Sequence, residues 1–193
     1  MARKIDPAKH DAILQAARML FKEKGVEDTT IAQIAVNAGI ATGTVYLYFK
    51  SKSIIIDALC DMYLLGLVKA ITPSLENPDT RAAIANGVQT AFEHASANAD
   101  LVRLLDYKRS LGANAGWPKA DIVVQDTLRK RFKALVNEGS AYPYHSRILA
   151  ELVGGLIEWV TKICFVWSDV DPVRYEDTLV ELLCHALLKN YKG

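Results

Sequence analysis

The stretch TIAQIAVNAGIATGTVYLYFKSK, from Thr30 to Lys52, leaves this chain few ways to fold. Ile31, Ile34, Ala35 and Ala38 recur at helical spacing and mark the apolar face of a short helix. Thr29 and Thr30 precede it, where a hydroxyl can satisfy the first open backbone N–H groups. Gly39 stands where a tight turn between two helices needs a left-handed backbone. The small Ala35 lets a second helix come close, and Ile40 and Val45 supply the contacts that set the angle between the two. The spacing predicts that second helix over Thr42 to Phe49, capped by Thr42, with Thr42, Thr44 and Tyr46 on its polar face.

A helix of this kind is suited to the major groove of DNA. Its N-terminus is positive, and short hydroxyl side chains can meet phosphates and base edges. Tyr48, Lys50, Ser51 and Lys52 follow, bringing hydroxyl and ammonium donors to the helix end, where phosphates would pass. A plain helical hairpin with solvated threonines and lysines is the alternative, but it gives no reason for glycine, hydroxyls and basic residues to coincide.

Ala38, Gly39, Gly43, Thr44, Val45, Tyr46, Tyr48, Phe49, Lys50, Ser51 and Lys52 together resemble the DNA-binding region of TetR-family transcriptional regulators. Ile13, Ala16, Ala17, Leu20, Phe21, Gly25 and Thr30 fit that family's first helix and its exit turn, so the resemblance covers about the first 55 residues. It implies DNA contacts from Thr30, Thr44, Tyr48 and Lys52, with Thr42 and Leu47 near the bases. Gly43 and Tyr46 complete the expected interface. Leu47 can offer a base only an apolar contact, for example with a thymine methyl.

The overall charge of +1 looks unhelpful for a DNA binder until the chain is divided. Residues 1–52 hold eight Lys or Arg against five acids, a balance of +3, and residues 53–193 carry −2. A basic head on a mildly acidic body follows. We expect residues 1–52 to form the DNA-binding domain and residues 53–193 an effector-binding and dimerisation domain.

Helical periodicity continues to the end, so the expected class is all-α, with about nine helices. The pattern predicts helices over Lys9–Lys24, Ser51 or Ser53 to a stop at Pro73, Thr80–Asn98, Asp100–Leu111, Lys119–Glu138, Tyr144–Trp167 and Pro172–Tyr191. Ile148 to Trp167 is apolar on more than one face, interrupted by Glu158 and Lys162, which argues against a membrane span. Gly154 and Gly155 would permit close backbone approach there. Leu179, Leu182, Leu183, Ala186 and Leu187 repeat at helical spacing in the last helix. One face of each final helix can pack on its own subunit and another on a second copy, giving a four-helix homodimer interface. An entirely internal core is the alternative.

The resemblance also implies a small-molecule effector site in the body. Phe92, Arg103, Tyr107, Trp117 and Trp159 are its candidates, as aromatic and polar residues of the middle helices and the penultimate one. His94 and Phe132 lie in the same region. Cys60, Cys164 and Cys184 form no CxxC pair and read as buried apolar residues in a reducing compartment. The polar segment Met1 to Lys9 has no leader pattern, so a cytoplasmic protein is expected. Glu181 and His185 are two potential metal ligands, too few for a site. No phosphate loop or GxSxG elbow is present, so neither an enzyme nor a cofactor is expected. The function expected is a dimeric repressor that binds a palindromic operator in double-stranded DNA and is released by an effector. An activator, or a DNA-organising protein without an effector, is the alternative.

Overall fold

The computed structural model describes residues 6–112, 116 and 118–189. These form nine α-helices: α1 Pro7–Lys24, α2 Ile31–Asn37, α3 Thr42–Tyr48, α4 Lys52–Leu75, α5 Thr80–Ala97, α6 Ala99–Ser110, α7 Asp121–Asn137, α8 Ser146–Lys162 and α9 Pro172–Leu187. A π-helical turn, Ile163–Trp167, extends α8, so the long apolar run is not one regular helix. Trp117 and residues 190–193 lie outside the described residues.

The three-helix head closes around Ile13, Ala17, Ile34, Ala35, Val45 and Phe49, all buried. Asp6 caps α1 through the Ala8 N–H. Gly25, at φ +86°, ends that helix in a conformation that residues with a Cβ rarely adopt. Thr30 caps α2 in a reciprocal arrangement: its hydroxyl accepts the Gln33 N–H, and the Gln33 side chain accepts the Thr30 N–H. Thr29 is buried instead, donating to the Gly25 carbonyl at 2.7 Å. Gly39 takes the left-handed turn at φ +68°.

Three expected helix ends are corrected. Ala41, not Thr42, is the residue before α3; its extended backbone provides the cap position without a side-chain bond, and Thr42 is already helical. Pro73 does not end α4, which runs on to Leu75. Two residues from the terminus a proline forfeits one backbone bond, and its ring faces water. The last helix stops at Leu187, because the chain there turns extended: the Tyr142 N–H donates to the Leu187 carbonyl, and Leu188 bridges Ala141.

Ser51 caps α4, which starts next to the head and enters the body without a linker. Ile55, Ile56, Leu59 and Leu64 of α4 are buried in one core that joins Ile13, Ile34 and Val45 of the head to Phe92 and Leu128 of the body. Among the described residues no helix is long and apolar enough to cross a membrane. No cluster of potential metal ligands occurs among them either.

Candidate nucleic-acid interface and the cavity behind it

Because Val45 is the buried anchor of α3, the residues beside it are forced outward. Thr42, Gly43, Tyr46 and Leu47 are exposed, Thr44 is half-buried, and together they form one open surface. The Tyr48 hydroxyl accepts the Asp6 N–H at 3.1 Å, which keeps its own proton available to a phosphate and ties the end of α3 to the start of α1. Thr30 is exposed at the start of α2.

Lys52 is placed differently from the expectation. Its ammonium donates to three carbonyls, Val26 at 2.6 Å, Thr29 at 3.0 Å and Glu27 at 3.3 Å. These belong to the turn between α1 and α2, so the side chain is a clamp on the head's own backbone. A phosphate contact would have to compete with that cradle.

Helices α4, α5, α6, α7, α8 and α9 of the body line an apolar cavity. Leu67, Ile71, Val88, Leu128, Phe132 and Ile157 are typical of its walls. At one end stands an ionic cluster. Arg109 meets Glu158 at 2.7 Å and Asp121 at 2.9 Å. Lys162 meets Asp106 at 3.3 Å and Glu158 at 3.6 Å, its ammonium about 5 Å from the ring centres of Trp159 and Trp167. Burial pushes the Glu158 carboxyl above its ordinary value, against the pull of Arg109 and Lys162. Arg109, Asp121, Gln125, Glu158 and Lys162 also line a shallower depression beside Trp159. The cluster therefore stands as a partition between the cavity and the surface.

Of the described residues proposed from sequence for an effector site, Phe132 lines this cavity, and Phe92, Arg103, Tyr107 and Trp159 do not. Phe92 is buried edge-on against Phe165, as ordinary core. Arg103 and Tyr107 lie on the other face of α6 and border a cleft between head and body. There the Tyr107 hydroxyl donates to Glu27 at 2.6 Å. Trp159 is exposed and reaches only the outer depression. Arg109, Asp121, Gln125, Arg131, Glu158 and Lys162 were missed. The signal for two of them was present: Glu158 and Lys162 break an apolar run one turn apart, the spacing of a helical ion pair.

Successive residues of α6 connect the parts of the molecule. Asp106 accepts from Trp167 Nε1 at 3.0 Å. Tyr107 reaches the head, Lys108 meets Asp57 of α4 at 2.7 Å, and Arg109 belongs to the cavity's ionic end. Nearby, Arg18 of α1 grips Asp100 of α6 with two bonds of 2.6 and 2.8 Å. That guanidinium holds the Asp100 carboxyl below the usual carboxylate range. Asp61, one turn beyond Asp57 on α4, accepts the Ala120 N–H at the start of α7.

A capped helix–turn–helix with an open second helix, mounted without a linker on an all-helical body, defines a DNA-binding transcriptional regulator. Residues 13–59 match the family model described as bacterial regulatory proteins, tetR family. Over 187 residues the chain is 27% identical to the HTH-type transcriptional regulator YdgC of Bacillus subtilis, covering 91% of both chains. It is 26% identical over 162 residues to the nucleoid occlusion factor SlmA of Pasteurella multocida, covering 81% of each. Among solved structures it is similar to SmeT, the repressor of the Stenotrophomonas maltophilia efflux pump SmeDEF. There the TM-score is 0.73 at 19% identity, over 94% of this chain and 91% of that one. Residues 13–59 thus carry a tetR-family DNA-binding region.

Proposed function

We propose that the protein is a homodimeric repressor that binds a palindromic operator and leaves it when a small molecule occupies the body cavity. The observation that carries this is the run Tyr107, Lys108, Arg109, in which neighbouring residues of one helix touch the head, α4 and the cavity's ionic end. A ligand that moves α6 must disturb the head as well.

Support for a dimer comes from the apolar groups that α8 and α9 leave in water. Leu152 is 65% exposed, Ile148 54%, Val173 61% and Leu182 53%. Such a face is costly unless a second copy covers it. Two heads held about 34–36 Å apart would meet successive turns of one groove. Thr30, Thr42, Gly43, Thr44, Tyr46, Leu47 and Tyr48 are the proposed contacts, and Lys52 acts mainly by shaping the head. Support for an effector includes the likeness to SmeT, whose structure has also been solved in complex with triclosan.

A DNA-organising protein without an effector is the second reading, favoured by the similarity to SlmA over most of the chain. Fluorescence anisotropy with DNA flanking the protein's own reading frame separates the two. A repressor of this kind binds a palindrome as two protomers and is released by a compound that binds the cavity. Failure on every palindrome would contradict specific operator binding. Tight binding that no cavity ligand reverses would favour the second reading.

A further inference from the structure

We infer that the cavity takes an organic anion, a carboxylate on an apolar chain or ring system, oriented with its carboxylate at Arg131. This rests on the effector reading given above and assigns its chemical class.

Three cations, Arg109, Arg131 and Lys162, line the cavity with Asp121 and Glu158, while Asp106 and Glu138 approach Lys162 and Arg131 from outside it. Arg131 is the cation with the most distant carboxylate. Arg109 has its two carboxylates at 2.7 and 2.9 Å, and Lys162 has its nearer one at 3.3 Å. The Arg131 guanidinium meets the Glu138 carboxylate only at 3.9 Å and otherwise donates to the Asn77 carbonyl at 3.2 Å. Its Nε is buried and has no hydrogen-bond partner among the described residues. A buried charged donor left unmatched is costly, and an incoming carboxylate removes that cost.

The geometry also fixes direction. Gln125, beside the ionic cluster, and Arg131 are six residues apart on α7, so they lie roughly 9 Å apart along the helix axis. A second carboxylate at the Gln125 end would face Asp121 and Glu158 and be repelled. The walls between are apolar side chains, suited to a hydrocarbon chain or ring. From Tyr63 to Leu75 the cavity follows α4 for about 18 Å, long enough for an extended ligand.

Three probes of one length test this: decanoate and decylamine below their micellar concentrations and decan-1-ol below its solubility limit, each titrated calorimetrically into the DNA-free protein. Decanoate should bind about tenfold tighter than decan-1-ol, the weight of one charge-assisted hydrogen-bonded contact. In Arg131→Met, decanoate should fall to the affinity of decan-1-ol, while decan-1-ol binds as to the wild type. Arg131→Lys should keep part of the preference. Decan-1-ol binding by Arg131→Met also reports that the variant is folded. The inference is overturned if decan-1-ol or decylamine binds at least as tightly as decanoate, if none binds, or if Arg131→Met keeps the preference. If decanoate binds as expected but leaves the protein on its operator, the ligand class stands and the effector reading falls.

Discussion

Lys108 is 2% exposed, and its ammonium lies 2.7 Å from the Asp57 carboxylate, so a buried charge of α6 is held by the helix that enters the head. The pair ties α4 to α6 one residue from Arg109 of the cavity cluster. A displacement of α6 that keeps the pair would therefore be passed to α4.

Lys108→Met should keep the packing of the side-chain stem and remove the charge. Breaking an ion pair with both partners buried costs about 3–5 kcal/mol. Asp57 is 39% exposed and can be solvated when deserted, so about 1–3 kcal/mol is expected here by urea denaturation. Operator affinity should change little, whereas release by a cavity ligand should weaken. Unaltered release would remove Lys108 from the coupling.

Lys52→Ala should separate the clamp from a phosphate contact. Three carbonyls lose their donor, so the variant should lose about 1–3 kcal/mol of stability and bind the operator more weakly. The slope of log affinity against log salt should remain as in the wild type. A lysine that neutralised a phosphate would instead reduce the slope by about one unit per subunit.

The Arg18–Asp100 clamp should be sensitive to acid. The Asp100 carboxyl is depressed in the fold, first by its hydrogen bond to Arg18, so its contribution is complete above the unfolded carboxylate pKa of about 4. It is lost as the pH falls through the lower folded value. Asp100→Asn should therefore cost about 1–2 kcal/mol at pH 6–8, and the difference from wild type should shrink below about pH 4. A difference constant down to pH 2 would contradict the assignment.

Cys60 should be chemically silent. It is fully buried, and burial with the nearby Asp57 pushes its thiol up to about 12. Native protein should leave Cys60 unmodified by a disulfide reagent at pH 8, and denaturant should expose it. Rapid labelling of Cys60 in the native state would show that the junction of α4 with the head opens.

The head could be anticipated from sequence because its determinants are local. Thr30 at the start of α2, Gly39 in its turn and Val45 beneath the outer helix act within a few residues of one another, and each sits as expected. The clamp made by Lys52 was not legible because its partners are 23 to 26 residues away and are carbonyls, which carry no side-chain signature. The cavity was illegible for the same reason on a larger scale. Aromatic residues such as Phe92 and Trp159 suggested a ligand pocket, yet helix packing sent one into the core and the other to the surface. Which face of α6 turned inward decided that Arg109, and not Arg103 or Tyr107, would reach the cavity.

In the proposed dimer, two reading heads stand at a separation matched to the groove. Distance measurement between spin labels at Met19→Cys, an exposed position on α1, tests it most directly, since the three native cysteines are buried. A dipolar signal between two protomers is expected in the free protein, and a narrower distance distribution when operator DNA is added. Absence of any signal between protomers, or a distribution that operator DNA leaves unchanged, would contradict it.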